Sequence, residues 1–194
     1  MPPDLHPLPG PCMVSASRFE ESPVGPYLEL AVGEPARLGA RPGLCITTMV
    51  VDAHDSLIGG RLNWGFPKEL GTLHWESEGE ARTLAWEEGK VRIRAEPSGP
   101  ALPVVVPMRA LQRRADGMVV VPARLRGRAR VSRVEVDVVE GDALAGLAGH
   151  HRGLLVSGLH LVVDPARRPA GLHATLRAPL RAAEPALTWG DPGD

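Results

Sequence analysis

The order of apolar and polar side chains reads as β-strand over most of the chain. Residues 27–32 and 44–53 are short apolar runs rich in β-formers, the pattern of buried strands. Residues 82–86 and 90–96 flank Glu87-Glu88-Gly89 and predict a hairpin, with the glycine available for a positive φ in the turn. In the second arm Val91, Ile93 and Ala95 alternate with Arg92, Arg94 and Glu96, the period of a half-buried strand. The Pro-rich stretch 97–107 leaves room for a short edge strand at 104–106. The clearest alternation covers 124–139. There Arg124, Arg126, Arg128 and Arg130 share one face, with Leu125, Ala129 and Val131 on the other. Beyond Val131 the parity reverses, and Val134, Val136 and Val138 become the apolar set. A slip of one residue predicts a β-bulge or strand break near Val131-Ser132. Residues 154–163 read as a final buried strand, and 172–176 as an edge.

Helical signals are few. One helix is expected to open at Asp55 or Ser56 and run to Leu62, and a brief one to span 142–147 behind an Asp142 N-cap. There is no internal repeat. Many short strands with few helices place the chain in a mainly β (α+β) class, as an antiparallel closed barrel or double sheet with short peripheral helices. Residues 1–12 carry five prolines and are expected to form an extended or disordered arm. Residues 13–180 form a single domain in this reading, and 181–194 a tail.

Composition narrows the function classes. At 194 residues the chain can bury roughly 70% of its unfolded surface without a disulfide or structural metal. A net charge of -1 gives no reason to expect nucleic acid or an anionic membrane as partner. Cys12 and Cys45 are too few and too far apart for a metal site or a disulfide framework. The N-terminus lacks the basic start and apolar core of a signal peptide, and no apolar run approaches a membrane span. The expectation is a soluble, cytoplasmic protein without metal or cofactor.

Candidate chemistry centres on Lys68. Of the 22 basic residues two are lysines, Lys68 and Lys90, so positive charge is written almost entirely as arginine. Lys68 lies in a Gly/Pro-rich, aromatic stretch, Gly59-Gly60-Arg61-Leu62-Asn63-Trp64-Gly65-Phe66-Pro67-Lys68-Glu69-Leu70-Gly71. Lysine can do what arginine cannot: lose its proton near neutral pH and attack a carbonyl carbon. Lys68 is thus a candidate Schiff-base nucleophile, the bland alternative being an exposed lysine beside a glutamate. Trp64, Phe66 and Trp75 offer apolar walls, or plain core. Arg61 either holds a substrate carboxylate or serves the structure. Glu69 adjoins Lys68, but neighbours on a strand point to opposite faces.

The same stretch resembles the acetoacetate decarboxylase family, whose signature is Gly-Arg, then an aromatic-Pro-Lys turn, then Leu-Gly. Gly60-Arg61, Phe66-Pro67-Lys68 and Leu70-Gly71 stand in that order and spacing. Upstream, Tyr27-Leu28-Glu29 is similar to the family's Tyr-x-Glu segment. The resemblance covers residues 24–71 well and continues loosely to 163. It implies a closed barrel with the active lysine inside and Lys68 as imine-forming residue. It also implies Glu29 as pocket acid, with Tyr27, Arg61, Trp64 and Phe66 about the substrate. The activity implied is carbon–carbon lysis: decarboxylation of a short keto acid through an imine on Lys68, with homo-oligomeric assembly. Schiff-base aldol or dehydratase chemistry on keto acids, or ligand binding without catalysis, are the alternatives. The chain departs from the family in two places. Glu69 stands where a second lysine usually follows the nucleophile, and near Val14, where another acid is expected, there is none.

Other constellations are weaker. The His150-His151 pair lacks acidic or Cys partners at metal-ligand spacing and reads as loop histidines. His54-Asp55-Ser56 is contiguous, unlike a nucleophile elbow, so a hydrolytic triad is not expected. The arginine row at 124–130 lacks interleaved aromatics and reads as a solvated strand face or an oligomer contact.

Overall fold

A computed structural model of the chain describes residues 1–139 and 141–169. Its elements, in chain order, are β1 (His6–Pro7), β2 (Met13–Phe19), β3 (Tyr27–Leu38), β4 (Arg41–Val51), helix α1 (His54–Trp64), β5 (Lys68–Leu70), β6 (Leu73–Glu78), β7 (Ala81–Trp86), β8 (Val91–Arg114), β9 (Gly117–Val138) and β10 (Gly149–Val163). All ten strands join one sheet, whose main path is β1-β3-β4-β8-β7-β6. Strand β2 also lies on β3, β9 on β8, and β10 on β9.

The central strands β3 and β4 read as continuous apolar runs because both of their faces are covered. Leu30 and Val50 enter one cluster with Leu73, Leu84, Val91, Ile93 and Val136. Their sequence neighbours Ala31 and Met49 point the other way and pack with Ile46. A third cluster, Leu5, Ala36, Leu38, Cys45 and Leu111, closes the far end. Each fully buried leucine there contributes on the order of 1.5–3 kcal/mol.

The expected closed barrel is not found: the sheet is curled but open. After β4 the chain turns through α1 and returns parallel to β4 as the three-residue β5, pairing Met49 with Lys68 and Val51 with Leu70. That short strand takes the edge of β4 which a closing strand would need. The same edge meets β8 at a single parallel pairing, Leu44 with Ala110. Among the described residues β6 pairs with β7 alone, so the path ends there.

The long hairpin follows the alternation closely, with corrections. The Pro-rich stretch is part of one 24-residue strand, β8, not an isolated edge at 104–106. Its prolines are tolerated because residues 96–109 pair on one side only, with β9. The predicted irregularity is present, but the extra residues sit in β8: the register shifts between Ser98 and Leu102, opposite Val131 and Ala129. Ser132 is accordingly buried while Val131 is 57% exposed. Strand β10 is less buried than expected, with Leu154 59% exposed, because it pairs along β9 and nothing among the described residues covers its outer face. In the 87–89 turn the positive φ falls on Lys90, at 47°. Gly89 is needed instead for contact, since a Cβ there would lie 2.0 Å from the Trp86 ring.

The N-terminal arm is extended and lies against the sheet. His6 and Pro7 pair with Arg37 and Ala36, Leu5 is buried, and Asp4 bonds Arg113 at 2.7 Å. The second helical signal forms a short 3-10 turn, Ala145–Leu147, after Asp142 accepts the Leu144 N–H at 2.8 Å. The expected edge at 172–176 and the tail at 181–194 lie outside the described residues. No described helix is long and apolar enough to cross a membrane.

Candidate active site

Helix α1 brings the lysine loop onto the sheet. Asp55 in its first turn and Arg61 in its last match the helix dipole. It ends in a left-handed residue, Gly65 at φ 71°. There the Gly65 N–H donates to the Arg61 carbonyl, the bond of an αL C-cap, and the Phe66 N–H donates to the Gly60 carbonyl. A Cβ at Gly65 would also stand 2.7 Å from the Arg113 carbonyl, so glycine is demanded twice. The reversal delivers Phe66, Pro67 and Lys68 to the edge of β4.

Position along the strands then assembles the polar group. Glu29 lies opposite Val51 on β4, and Lys68 lies opposite Met49, two residues away and on the same face. Tyr27 precedes Glu29 by one strand period. Ser56 and Gly60, one helical turn apart, are the buried residues of α1. Gly60 admits the lysine stem: a Cβ there would meet Lys68 Cδ at 2.5 Å.

Lys68 is 4% exposed, Glu29 8% and Ser56 5%. The Lys68 Nζ donates to Glu29 Oε2 at 2.8 Å and to Ser56 Oγ at 2.8 Å. It also sits 5.2 Å from the centroid of the Tyr27 ring, in cation–π range. The Tyr27 phenol is pushed up to about 12, chiefly by burial, then by the Glu29 charge, with a Ser56 hydrogen bond pulling the other way. It therefore stays a neutral donor across the physiological range. The ring leans on Phe19, 4.9 Å away between centroids.

Of the residues singled out in the sequence, Lys68, Glu29 and Tyr27 come together. Arg61 does not face them: its Nε donates to the main-chain carbonyl of Lys68 at 2.7 Å, which anchors the strand carrying the nucleophile. Trp64 turns its indole N–H to the Asp164 carbonyl at 3.0 Å, with its ring 6.0 Å from Phe66. Phe66 packs against the Ala31, Ile46 and Met49 cluster beside the site. Trp75 belongs to the cluster on the opposite face and is core. Glu69 is exposed where Lys68 is buried. The sequence does not single out Ser56 as a partner of the lysine, since there it stands only beside His54 and Asp55, both of which are exposed. The signal available was its spacing of four from Gly60, which puts both on the helix face toward Lys68. Among the described residues no three His, Cys, Asp or Glu side chains gather as metal ligands.

Comparison with known proteins bears on this geometry. The family model described as acetoacetate decarboxylase (ADC) matches residues 1–145. Acetoacetate decarboxylase of Acidiphilium cryptum is 32% identical over 69 residues, 36% of this chain and 28% of that protein. The Burkholderia multivorans enzyme is 38% identical over 71 residues, with the same shares of both chains. The matched segment thus spans under a third of those relatives' length. In fold, the crystal structure of acetoacetate decarboxylase from Legionella pneumophila superposes with a TM-score of 0.58 at 17% identity, covering 86% of this chain and 74% of that one. A second acetoacetate decarboxylase structure gives 0.60 at 15% identity, covering 86% and 78%.

Proposed function

We propose, for a chain that belongs to the acetoacetate decarboxylase family, that Lys68 forms an imine with a short keto acid and that the protein is a carbon–carbon lyase. The observation that carries this reading is the buried amine held between Glu29 and Ser56, at 2.8 Å from each. In the first step Glu29 takes a proton from the Lys68 ammonium, and the freed amine attacks the substrate carbonyl. Glu29 returns that proton to the carbinolamine hydroxyl, which leaves as water, and the resulting iminium accepts the electron pair released as carbon dioxide departs. The enamine so formed takes a proton at carbon from Glu29, which has first taken one from solvent. Water then hydrolyses the iminium and returns the amine. Ser56 and Tyr27 hold the nitrogen and line its approach with hydroxyls, while Arg61 fixes the backbone of the nucleophile. The same enamine supports aldol or dehydratase chemistry, so the nucleophile does not by itself select the reaction.

One observation favours a second reading, binding without catalysis: the Lys68–Glu29 ion pair is the arrangement a resting, protonated lysine would adopt. Borohydride trapping separates the two. The protein is incubated with acetoacetate or pyruvate, reduced, and mapped by peptide mass spectrometry beside Lys68→Ala. An adduct on Lys68, absent from the variant, supports imine chemistry. The absence of an adduct with these acids and with simple ketones would leave the binding reading. We further propose that the protein assembles as a homo-oligomer, the support being apolar residues left exposed on the long arm, Val105, Val131 and Leu154.

A further inference from the structure

A cavity of about 630 Å³ in the described residues is lined by none of Lys68, Glu29, Ser56 or Tyr27. It opens between the inner ends of β8 and β9 and the segment after β10. Five arginines border it: Arg41 from the start of β4, Arg109 from β8, Arg124 from β9, and Arg167 and Arg168 from the last described segment. Asp164 is the acid in the lining, and its main-chain carbonyl is engaged by Trp64. The walls between the guanidinium groups are apolar, with Met108, Val120 and Val162 among them.

Charge is distributed unevenly about this cleft. Several arginines elsewhere on the sheet are answered by acids: Arg92 by Glu76, Arg94 by Glu78, Arg113 by Asp4, Arg130 by Glu80. Arg168 shares Asp116 with Arg114. Among the described residues Arg109, Arg124 and Arg167 form no ion pair with a carboxylate. Arg109 instead donates to the Pro42 carbonyl at 3.0 Å, which steadies its stem beside the opening. In a chain of net charge -1, these three guanidinium groups meet in one concave place. Backbone pairing sets their spacing, since the Arg167 N–H bonds Val120 at 2.8 Å and the Asp164 N–H bonds Pro122 at 2.9 Å.

We propose that this cleft binds a small organic polyphosphate, with its phosphoryl groups on Arg109, Arg124 and Arg167 and its apolar body against Met108 and Val162. The volume falls within the roughly 300–1,000 Å³ of small-molecule sites. Guanidinium forks match phosphoryl oxygens in paired hydrogen bonds. Three cations on three separate segments call for an anion that carries charge at several points, which one carboxylate or a single phosphate does not.

The test is calorimetric titration of the full chain with ATP in EDTA, with inorganic pyrophosphate and with citrate, at low and high salt. Saturable binding of ATP at one site per chain is expected, weakened by salt, with pyrophosphate weaker than ATP for want of the apolar body. Arg124→Ala and Arg167→Ala should each weaken ATP by about tenfold or more. Arg133→Ala, an exposed arginine further along β9, should leave it unchanged. Should Arg109→Ala fail to fold through loss of the Pro42 bond, Arg124→Glu carries the test from an exposed side chain. Lys68→Ala should bind ATP as the parent does, so this result stands or falls apart from the imine reading. No saturation at millimolar ATP, citrate binding as tight as ATP, or an Arg133→Ala loss equal to that of Arg124→Ala would overturn the proposal.

Discussion

Replacing Gly60 by alanine tests whether the helix face at Lys68 is built for the lysine stem. The added Cβ would lie 2.5 Å from Lys68 Cδ and 2.6 Å from Cε, where ordinary contact begins at 3.4 Å. The stem must therefore retreat by roughly 0.9 Å if the backbone holds. Its tip is tied at 2.8 Å to both Glu29 and Ser56, so a retreat of that size carries at least one bond beyond hydrogen-bonding range. Alanine for glycine in a helix interior gains about 1 kcal/mol. Against this stand about 1–3 kcal/mol for overpacking and about 1.5–3 kcal/mol for a weakened charged hydrogen bond. The net is a loss of about 1.5–5 kcal/mol, a fall in melting temperature of several degrees or more for a domain this size. Gly59→Ala is the control within the same helix, because a Cβ there has nothing nearer than Asn63 Nδ2 at 3.9 Å. It should raise the melting temperature by about 2–4 °C. Borohydride trapping should fall at least about tenfold in Gly60→Ala and stay at parent level in Gly59→Ala. Equal upward shifts in both variants, with trapping unchanged, would show that Gly60 does not brace the lysine.

Further tests address the other members of the site. Ser56→Ala removes the hydroxyl shared by Lys68 and Tyr27 and should cost about 1–3 kcal/mol in chemical denaturation, with slower imine trapping. Glu29→Gln keeps an acceptor but loses the proton carrier at both ends of the reaction; adduct trapping should slow, and steady-state carbon dioxide release should fall by about 100-fold or more. Tyr27 is the single tyrosine of the chain, so absorbance at alkaline pH reports on it alone, and it should ionise near 12. Because the folded protein holds that proton more tightly than the unfolded chain, its contribution to stability is complete below about 10 and is lost as pH rises through 10 to 12. A midpoint near 10 in the folded protein would contradict the burial of the phenol.

The strands were legible where one face meets water and the other does not. Arg92–Ile93–Arg94 and the 124–139 stretch alternate because β8 and β9 are half-buried, and the parity slip at Val131 reports a bulge in the partner strand. Closure was not legible, because it depends on which strand takes the second edge of β4. Nothing in the pattern at 68–70 marks so short a parallel strand, whose place is set by the span of α1. The site was legible in its charged residues, since an ion pair so deeply buried needs both partners. Ser56 was not, because a small hydroxyl in a helix carries no distinguishing signal until its face is known. Arg61 was read as a cation and proved to be a main-chain anchor, a role that spacing alone does not separate from substrate binding.

The departure at Glu69 bears on how Lys68 is activated. A second lysine at that position, on the exposed side of a three-residue strand, would place its charge away from the amine, just as Glu69 is placed. Substitution of the neighbour therefore leaves the immediate surroundings of Nζ unaltered: Glu29, Ser56 and the face of Tyr27. The carboxylate both holds the ammonium and is the base nearest to it. Taking a proton from Lys68 turns a charged pair into a neutral amine beside a neutral acid. In a buried place that exchange removes two charges that would otherwise need solvation. The amine is then ready to attack, and the acid carries the proton with which the carbinolamine hydroxyl leaves as water; recharged from solvent, the same acid can protonate the enamine. One side chain can thus serve both ends of the reaction, provided that the substrate enters between the Tyr27 ring and Lys68 without parting Glu29 from the nitrogen.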